Sequence, residues 1–299
     1  MRPLAAVLAL QLVLAIVFIT LVATDNVPFV DESSDAAQAP PRPKVNRFNG
    51  TAAFKLLREQ VEMGPRPAGS DTSRRLARRL RGLLPKGRYE RIPGHPRLRN
   101  VVGIVRGKDP SRRVIVGAHY DTKDIPTFVG ANDGAGGTAI VTRLARTVKP
   151  RQLRPTLVFM LFDGEESPRG TPDGQFVQKG LRGSKAAAKR HDEAEAMILL
   201  DFVADRSLRI PREANSDPAL WRKLRRAARA VGAGPSFPDE ESSPVSDDHI
   251  PFLRRGIPAI DLIDFGFPCF HKPCDDMSAV SSRSVDATGE TVYRLLASL

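Results

Sequence analysis

Two adjacent glutamates, Glu165 and Glu166, follow directly after an apolar run in the segment Leu157-Val-Phe-Met-Leu-Phe-Asp-Gly-Glu-Glu166. Two carboxylates at the end of a buried strand repel each other, and both are costly to desolvate unless a cation lies beside them. A metal ion meets that need, because one carboxylate can ligate it while the other carries a proton to or from the reactant. The pair therefore predicts a metal-dependent catalytic site.

Other side chains that bind metals lie at or just beyond the ends of further apolar runs. They are His119 after 114–118, Asp133 in the glycine-rich turn 130–137, Asp201 at the end of 196–201, and His271 after 258–264. Asp121 is a candidate partner for the ring of His119, since a metal-bound imidazole usually has its other nitrogen held by a carboxylate or carbonyl. With Glu166, the predicted metal ligands are His119, Asp133, Glu166, Asp201 and His271.

The apolar runs also predict the fold. Each is four to eight residues long and lies between helical segments, which is typical of a largely parallel sheet covered by helices on both faces. In such sheets the ligand site lies beyond the carboxyl ends of the strands, where the candidate ligands occur. We expect an α/β fold with one domain, built on a central, mostly parallel mixed sheet. Residues 100–107 and the segment before them are candidates for an antiparallel edge.

The first fifty residues differ from the rest. Residues 4–23 carry no charge and are long enough to cross a bilayer as a helix, so residues 1–25 are predicted to be a signal peptide or a membrane anchor. Residues 26–50 are polar and proline-rich and are predicted to form a linker before a catalytic domain at 51–299. This organisation predicts an extracytoplasmic protein that is secreted or membrane-anchored.

The formal net charge of +12 raises the question of a nucleic-acid partner. The basic residues of 74–81 and 222–226 alternate with apolar ones at helical spacing, which indicates the solvated faces of amphipathic helices and no nucleic-acid partner. The alternative interpretation is that the positive charge attracts the protein to an anionic membrane surface. Cys269 and Cys274 flank His271, where a local disulfide and zinc ligation are the two alternatives.

Five motifs, in order, resemble the zinc exopeptidases of peptidase family M28. They are Gly117-Ala-His-Tyr-Asp121, Ala131-Asn-Asp-Gly134, Phe162-Asp-Gly-Glu-Glu166, Leu199-Leu-Asp201 and the distal His271. The resemblance implies bound zinc, a phosphorylase/hydrolase-like fold with a central mixed sheet, and peptide or protein N-termini as partners. The number of zinc ions, one or two, stays open.

Within that family, the segment from Asp247 to Pro258 and His119-Tyr-Asp-Thr-Lys123 are most similar to the glutaminyl-peptide cyclotransferases. These enzymes convert an N-terminal glutamine to pyroglutamate with release of ammonia. The resemblance implies that a single zinc is held by Asp133, Glu166 and His271. It also implies that Glu165 carries the proton, while Asp201 and Asp247 orient the reacting nitrogen.

The same residues allow a second activity. In the two-zinc aminopeptidases of the family, the positions of His119 and Asp201 complete a second metal site, and the position of Asp133 bridges the two ions.

The sequence differs from the animal cyclases at two tryptophan positions. Residues 167–171 lack the tryptophan that animal cyclases have there, and Phe270 stands in place of a second tryptophan. Trp221, in a helical stretch, is predicted to be a packing residue. A non-catalytic binding domain is a third hypothesis, disfavoured because Glu165 and every ligand position are present.

Overall fold

A computed structural model of the chain describes residues 39–299. The predicted signal or anchor at 1–25 lies outside these residues, as does most of the predicted linker. Within 39–299, no helix combines the length and the apolar character needed to span a membrane.

A six-stranded mixed sheet forms the centre of this part of the chain. The strands of residues 39–299, including two outside this sheet, are β1 Arg88–Arg91, β2 Arg99–Val105, β3 Asp109–His119, β4 Pro155–Phe162, β5 Ala196–Asp201, β6 Arg212–Glu213, β7 Glu241–Ser242 and β8 Ala259–Ile263. The sheet order is β1-β2-β4-β3-β5-β8, and β6 pairs with β7 in a separate small sheet. Strands β4, β3, β5 and β8 run parallel to one another, whereas β2 pairs antiparallel with both β4 and β1. The predicted fold and the predicted antiparallel edge are both confirmed.

Helices cover both faces of the sheet. They are α1 Gly50–Glu62, α2 Asp71–Leu83, α3 Gly137–Thr147, α4 Phe176–Lys179, α5 Arg182–Arg190, α6 Pro218–Val231, α7 Ile250–Leu253 and α8 Ser282–Leu296. Successive strand residues point to opposite faces, so Val114 and Val116 join one apolar core with α1, α2, α3, α6 and α8. Ile115 joins a second core with α5 and α7. The carboxyl ends of the parallel strands are thereby fixed along one edge.

A glycine brings the turn before α3 onto this edge. A Cβ atom on Gly137 would lie 2.1 Å from the carbonyl oxygen of Leu200 and 3.0 Å from the Cβ of Ala118. Only glycine therefore lets the helix begin directly against β3 and β5. The preceding turn, which contains Asp133, is held beside the last residues of both strands.

Residues 39–49, the described part of the predicted linker, have no helix or strand and pack against the domain. The side chain of Phe48 is fully buried. Its backbone N–H donates to Oε1 of Glu290 on α8 at 2.7 Å, and the N–H of Arg47 donates to the same oxygen. Because of these contacts the compact unit begins at Ala39, before the boundary at 51 that the sequence predicts.

Replacing Phe48 tests this packing. Phe48→Ala should lower the free energy of unfolding by about 3–5 kcal/mol, since it leaves a cavity among buried groups. Phe54→Ala is the control, because Phe54 on α1 is only half-buried and should cost less than about 2 kcal/mol. Urea unfolding of the full chain measures both values. Equal losses in the two variants would contradict the assigned packing.

Candidate active site

The structure brings all five predicted metal ligands together at the carboxyl edge of the sheet. His119 and Asp201 are the last residues of β3 and β5, and Glu166 lies in the loop after β4. Asp133 lies in the turn before α3, and His271 lies in the loop after β8. The ligand atoms form two clusters, His119/Asp133/Asp201 and Asp133/Glu166/His271, with Asp133 common to both.

The inner cluster is centred on His119. Its Nε2 lies 3.1 Å from Oδ1 of Asp133 and 3.2 Å from Oδ1 of Asp201. Its Nδ1 lies 3.1 Å from the backbone carbonyl of Asp121. When Nδ1–H donates to that carbonyl, the lone pair of Nε2 faces the carboxylates and a metal. The predicted partner Asp121 thus orients the ring through its backbone.

The outer cluster uses the second oxygen of the same aspartate. Nε2 of His271 lies 3.5 Å from Oδ2 of Asp133 and 3.4 Å from Oε1 of Glu166. Lys123 holds the other oxygen of Glu166, with Nζ 2.9 Å from Oε2. Asp133 thus offers one oxygen to each cluster, as a bridging carboxylate does.

These spacings fit zinc. Two ligands each about 2.1 Å from a tetrahedral zinc ion lie about 3.4 Å apart, and nitrogen and oxygen donors are usual for this ion. The atoms Oδ2 of Asp133 and Oε1 of Glu166 are buried and accept no hydrogen bond of good geometry within the described residues. A cation would satisfy both oxygens, so the residues present fit the metal that the sequence implies.

The carboxylate of Asp121 shapes the loop that carries the two glutamates. Oδ1 accepts the backbone N–H groups of Gly164 at 2.9 Å and Glu165 at 3.2 Å. Oδ2 accepts the N–H of Glu166 at 3.2 Å. Burial raises the pKa of Asp121 to about 6, and three N–H donors favour its charged form. Asp121 therefore orients His119 through its backbone carbonyl and fixes the positions of Glu165 and Glu166 through its side chain.

The two glutamates differ in electrostatic environment. Burial raises the pKa of Glu165 well above its usual value, and the charge of Glu166 raises it further. Burial also raises the pKa of Glu166, but the nearby imidazole of His271 and the charge of Lys123 outweigh this effect and leave the value lowered. Glu166 is thus suited to remain a charged ligand, and Glu165 is suited to exchange a proton.

Additional buried carboxyl groups lie around the inner cluster. Asp201 and Asp247 are both buried, and burial raises the pKa of Asp201 to about 7. The charge of Asp247 contributes to the raised pKa values of both Asp201 and Glu165, so Asp247 lies near both. Burial, with the charges of Asp247 and Asp201, raises the pKa of Asp261 well above its usual range. Asp261 belongs to the interior run of β8 and carries no sequence signal that would have singled it out.

Asp275 is a second positioning residue, and it is not among the predicted metal ligands. Its buried carboxylate accepts the N–H of Asn132 at 2.7 Å through Oδ1 and the N–H of Asp133 at 3.0 Å through Oδ2. The N–H of Ala131 donates to its backbone carbonyl at 3.1 Å. Asp275 therefore holds the turn that presents the bridging carboxylate. The sequence feature that could have singled out Asp275 is its position four residues after His271.

The loop that carries His271 is cross-linked. Cys269 and Cys274 form a disulfide, which confirms that alternative and leaves zinc to the other ligands. His271 has a left-handed backbone, with φ at 51°, a conformation that is uncommon for residues other than glycine. The short closed loop restricts the chain to this region and points the ring towards Asp133 and Glu166.

Three further buried residues lie outside the clusters. Trp221, on α6, is buried in the core, as predicted. His249 is fully buried with Nε2 3.1 Å from Oε1 of Glu213. Asp163 accepts the N–H of Arg99 at 2.9 Å and joins the loop after β4 to β2.

The fold and the clustered histidine and carboxylate ligands define a protein of the zinc-exopeptidase type. Residues 100–296 match peptidase family M28. The chain belongs to that family, and the resemblance noted in the sequence is confirmed.

Known proteins with this fold include both activities considered above. The chain is 27% identical over 235 residues to the glutaminyl-peptide cyclotransferase of Drosophila melanogaster. The matched region covers 65% of this chain and 63% of that protein. It thus spans less than two thirds of this curated relative. A leucine aminopeptidase precursor from Bacteroides thetaiotaomicron has a TM-score of 0.75 at 25% identity, covering 86% of this chain and 99% of that one. A glutaminyl cyclase from an Acidobacteriales bacterium has a TM-score of 0.74 at 27% identity, covering 87% and 97%.

Asp275 gives a test of how the bridging carboxylate is held. Asp275→Asn should weaken zinc binding by about 10- to 100-fold, because the amide cannot accept both N–H groups of the turn. Competition with a chromogenic chelator measures the affinity. Asp276→Asn is the matched control, since Asp276 is half-exposed and its side chain accepts from the neighbouring Ser278. Wild-type zinc affinity in the Asp275 variant would contradict the positioning role.

Proposed function

We propose that the chain is a zinc-dependent glutaminyl-peptide cyclotransferase, which converts the N-terminal glutamine of a peptide to pyroglutamate and releases ammonia. The observation that supports this proposal is a pair of buried carboxyl groups at the inner cluster: Asp201 lies 3.2 Å from His119, and the charge of Asp247 acts on both Asp201 and Glu165. Cyclisation requires an amine that is deprotonated and then held against a carbonyl of the same residue. Hydrolysis requires a base and a water molecule; it would use Asp201 as a metal ligand and gives Asp247 no role as an acceptor.

The residues of the chain account for the proton movements. Zinc held by Asp133, Glu166 and His271 would supply polarisation of the γ-carbonyl of the glutamine. Glu165 takes a proton from the α-ammonium group, and the amine nitrogen then attacks the γ-carbon. As the bond to the side-chain nitrogen breaks, Glu165 returns the proton to that nitrogen, which leaves as ammonia, and the ring nitrogen releases its second proton to solvent. Asp201 and Asp247 accept hydrogen bonds from the attacking nitrogen and orient it.

The raised pKa of Glu165 bears on this role. A carboxyl group with a raised pKa holds its proton more strongly and is ionised in a smaller fraction of molecules. A divalent cation a few ångströms away favours the ionised form, so bound metal brings the pKa of Glu165 towards the range useful for proton transfer. The base therefore depends on the metal.

A zinc aminopeptidase is the second candidate. The complete inner cluster of His119, Asp133 and Asp201 favours it, because two-metal sites are common among aminopeptidases. Glu165 would then take the proton from an attacking water molecule instead of from the substrate amine. In both activities the site binds the N-terminus of a peptide or protein, which we infer to be the partner.

We infer an extracytoplasmic setting for this activity. Disulfides persist in oxidising compartments, and Cys269–Cys274 is such a bond. The uncharged stretch at 4–23 would direct the chain to that setting as a signal or as an anchor.

Two peptides distinguish the activities. The full chain, loaded with zinc, is incubated with a peptide that begins with glutamine and with one that begins with leucine. The expected result is release of ammonia from the first, with the mass loss of one ammonia and no cleavage, and no free leucine from the second. Release of leucine without loss of ammonia would overturn the cyclotransferase and favour the aminopeptidase.

The two glutamates should respond differently to the same substitution. Glu165→Gln should keep zinc and lower kcat by about 10²- to 10⁴-fold, because an amide cannot accept the proton. Glu166→Gln should weaken zinc binding by more than about 100-fold, because it removes a charged ligand. Metal content and turnover are measured on the same samples. Retained turnover in the Glu165 variant would contradict its role as proton carrier.

A further inference from the structure

A cavity of about 770 Å³ lies outside the active site, between the last turns of α2 and α3 and the end of β2. Its wall includes the buried apolar side chains Leu84, Val105 and Val148. The described residues that line it include no acidic side chain, and its rim is formed by exposed basic ones, namely Lys86, Arg88, Arg106 and Arg146. The cavity is therefore apolar inside and positively charged at its mouth.

Most of the charges on this rim have no partner of opposite sign. Arg88 pairs with Glu90 at 3.0 Å, but within residues 39–299 Lys86, Arg106 and Arg146 form no ion pair. The guanidinium of Arg146 donates to the carbonyl of Leu83 at 3.1 Å and remains exposed. These three charges are therefore available to an anionic partner.

The positive charge extends beyond the rim along the same edge of the sheet. Asp109, an acidic residue at this edge, already accepts the backbone N–H and the hydroxyl of Ser111. Four more basic residues here are exposed and form no ion pair in the described part of the chain: Arg81, Lys108, Lys149 and Arg154. Together with Lys86, Arg106 and Arg146, these four form what we call the basic face. Their mutual repulsion would be relieved by an anionic surface.

The basic face lies at the opposite end of the sheet from the ligand clusters. Val105 pairs with Leu157 near the start of β4, whereas Glu165 and Glu166 follow the end of that strand. Because β4 has eight residues, the two edges are about 26 Å apart. A partner on the basic face would therefore leave the catalytic edge open to solution.

The chemistry of the face favours a phospholipid bilayer as that partner. A bilayer presents many anionic headgroups in one plane, which matches positive charges that are spread over a face. The apolar wall behind the rim suits the first part of an acyl chain. A nucleic acid matches the charge but not the apolar wall.

The chain also joins the domain on this side. The hydroxyl of Thr147, the last residue of α3, donates to the carbonyl of Phe48 at 3.2 Å, directly beside Arg146. The uncharged stretch at 4–23 precedes Phe48 in the sequence. An uncleaved anchor there would thus be connected to the domain next to the basic face.

We propose that the basic face docks on a bilayer of anionic phospholipids, with a headgroup at the rim of the cavity and the catalytic edge turned towards solution. This inference concerns a surface remote from the ligand clusters, so it is independent of whether the site cyclises or cleaves peptides.

Vesicles of different charge test the docking. The full chain should partition onto vesicles with roughly 30% phosphatidylglycerol more than about 100-fold more strongly than onto pure phosphatidylcholine, and added salt should reduce this ratio. Lys86→Gln combined with Arg106→Gln should lower the ratio about 30-fold, since each basic residue near the bilayer contributes about fivefold. Sedimentation of the vesicles measures the partition.

The matched control is Lys189→Gln combined with Arg254→Gln. It removes the same charge from exposed positions on α5 and after α7, which cover the other face of the sheet. These positions lie beyond the range of screened charge, so the ratio should change less than about threefold. Both double variants should keep wild-type turnover of a soluble peptide, which shows that they are folded.

Acetylation of lysines in the full chain gives a readout that holds even if residues 4–23 keep the chain on both kinds of vesicle. Lys86 and Lys108 should react at least about threefold more slowly on the phosphatidylglycerol vesicles than on phosphatidylcholine, while Lys189 reacts equally on both. Equal acetylation of Lys86 on the two kinds of vesicle would overturn the docking, as would equal effects of the two double variants on a charge-dependent partition. Binding of a short DNA duplex that depends on Lys86 and Arg106, without any preference for phosphatidylglycerol, would assign the face to a nucleic acid instead.

Discussion

The carboxylate of Asp133 is the feature on which the site depends, because it belongs to both ligand clusters. Much of the surrounding structure fixes it in place. Gly137 lets its turn approach β3 and β5, and Asp275 accepts the backbone N–H groups of the turn. Beneath the site the buried guanidinium of Arg66 donates to the carbonyl of Gly130 at 3.2 Å. Burial lowers its pKa to about 10, so it stays charged and partly offsets the carboxylates.

The single positive charge of Arg66 offsets only a small part of the negative charge of the acidic groups at the sheet edge. Like charges that share a buried site raise each other's pKa values and cannot all ionise. A divalent cation reverses this cost and makes the same groups useful as ligands and as a base. Under the proposed function, occupancy of the inner cluster would separate the two chemistries. With zinc at the outer cluster alone, Asp201 would be free to hold an amine, and with zinc at both clusters it would be a ligand.

The sequence predicted the sheet and the clustering of the candidate ligands because apolar runs and metal-binding side chains coincide at His119, Asp201 and the two glutamates. The position of Asp275 after His271 did not reveal what it contacts, since its carboxylate accepts backbone N–H groups 142 and 143 positions away. Asp261 was hidden for a similar reason, as an acidic residue inside a buried strand. The packing of Phe48 was missed because the composition around it is that of a linker. These contacts depend on which elements meet in space, and local patterns do not encode that.

The central claim is that the outer cluster holds zinc through a carboxylate shared with the inner one. Anomalous diffraction from crystals of the zinc-loaded chain, with data above and below the zinc absorption edge, tests it most directly. The predicted result is a peak about 2.0–2.2 Å from oxygen atoms of Asp133 and Glu166 and from Nε2 of His271. A second peak between His119 and Asp201 would also place a zinc at the inner cluster. Zinc bound away from Asp133, or no zinc at the outer cluster, would contradict the claim.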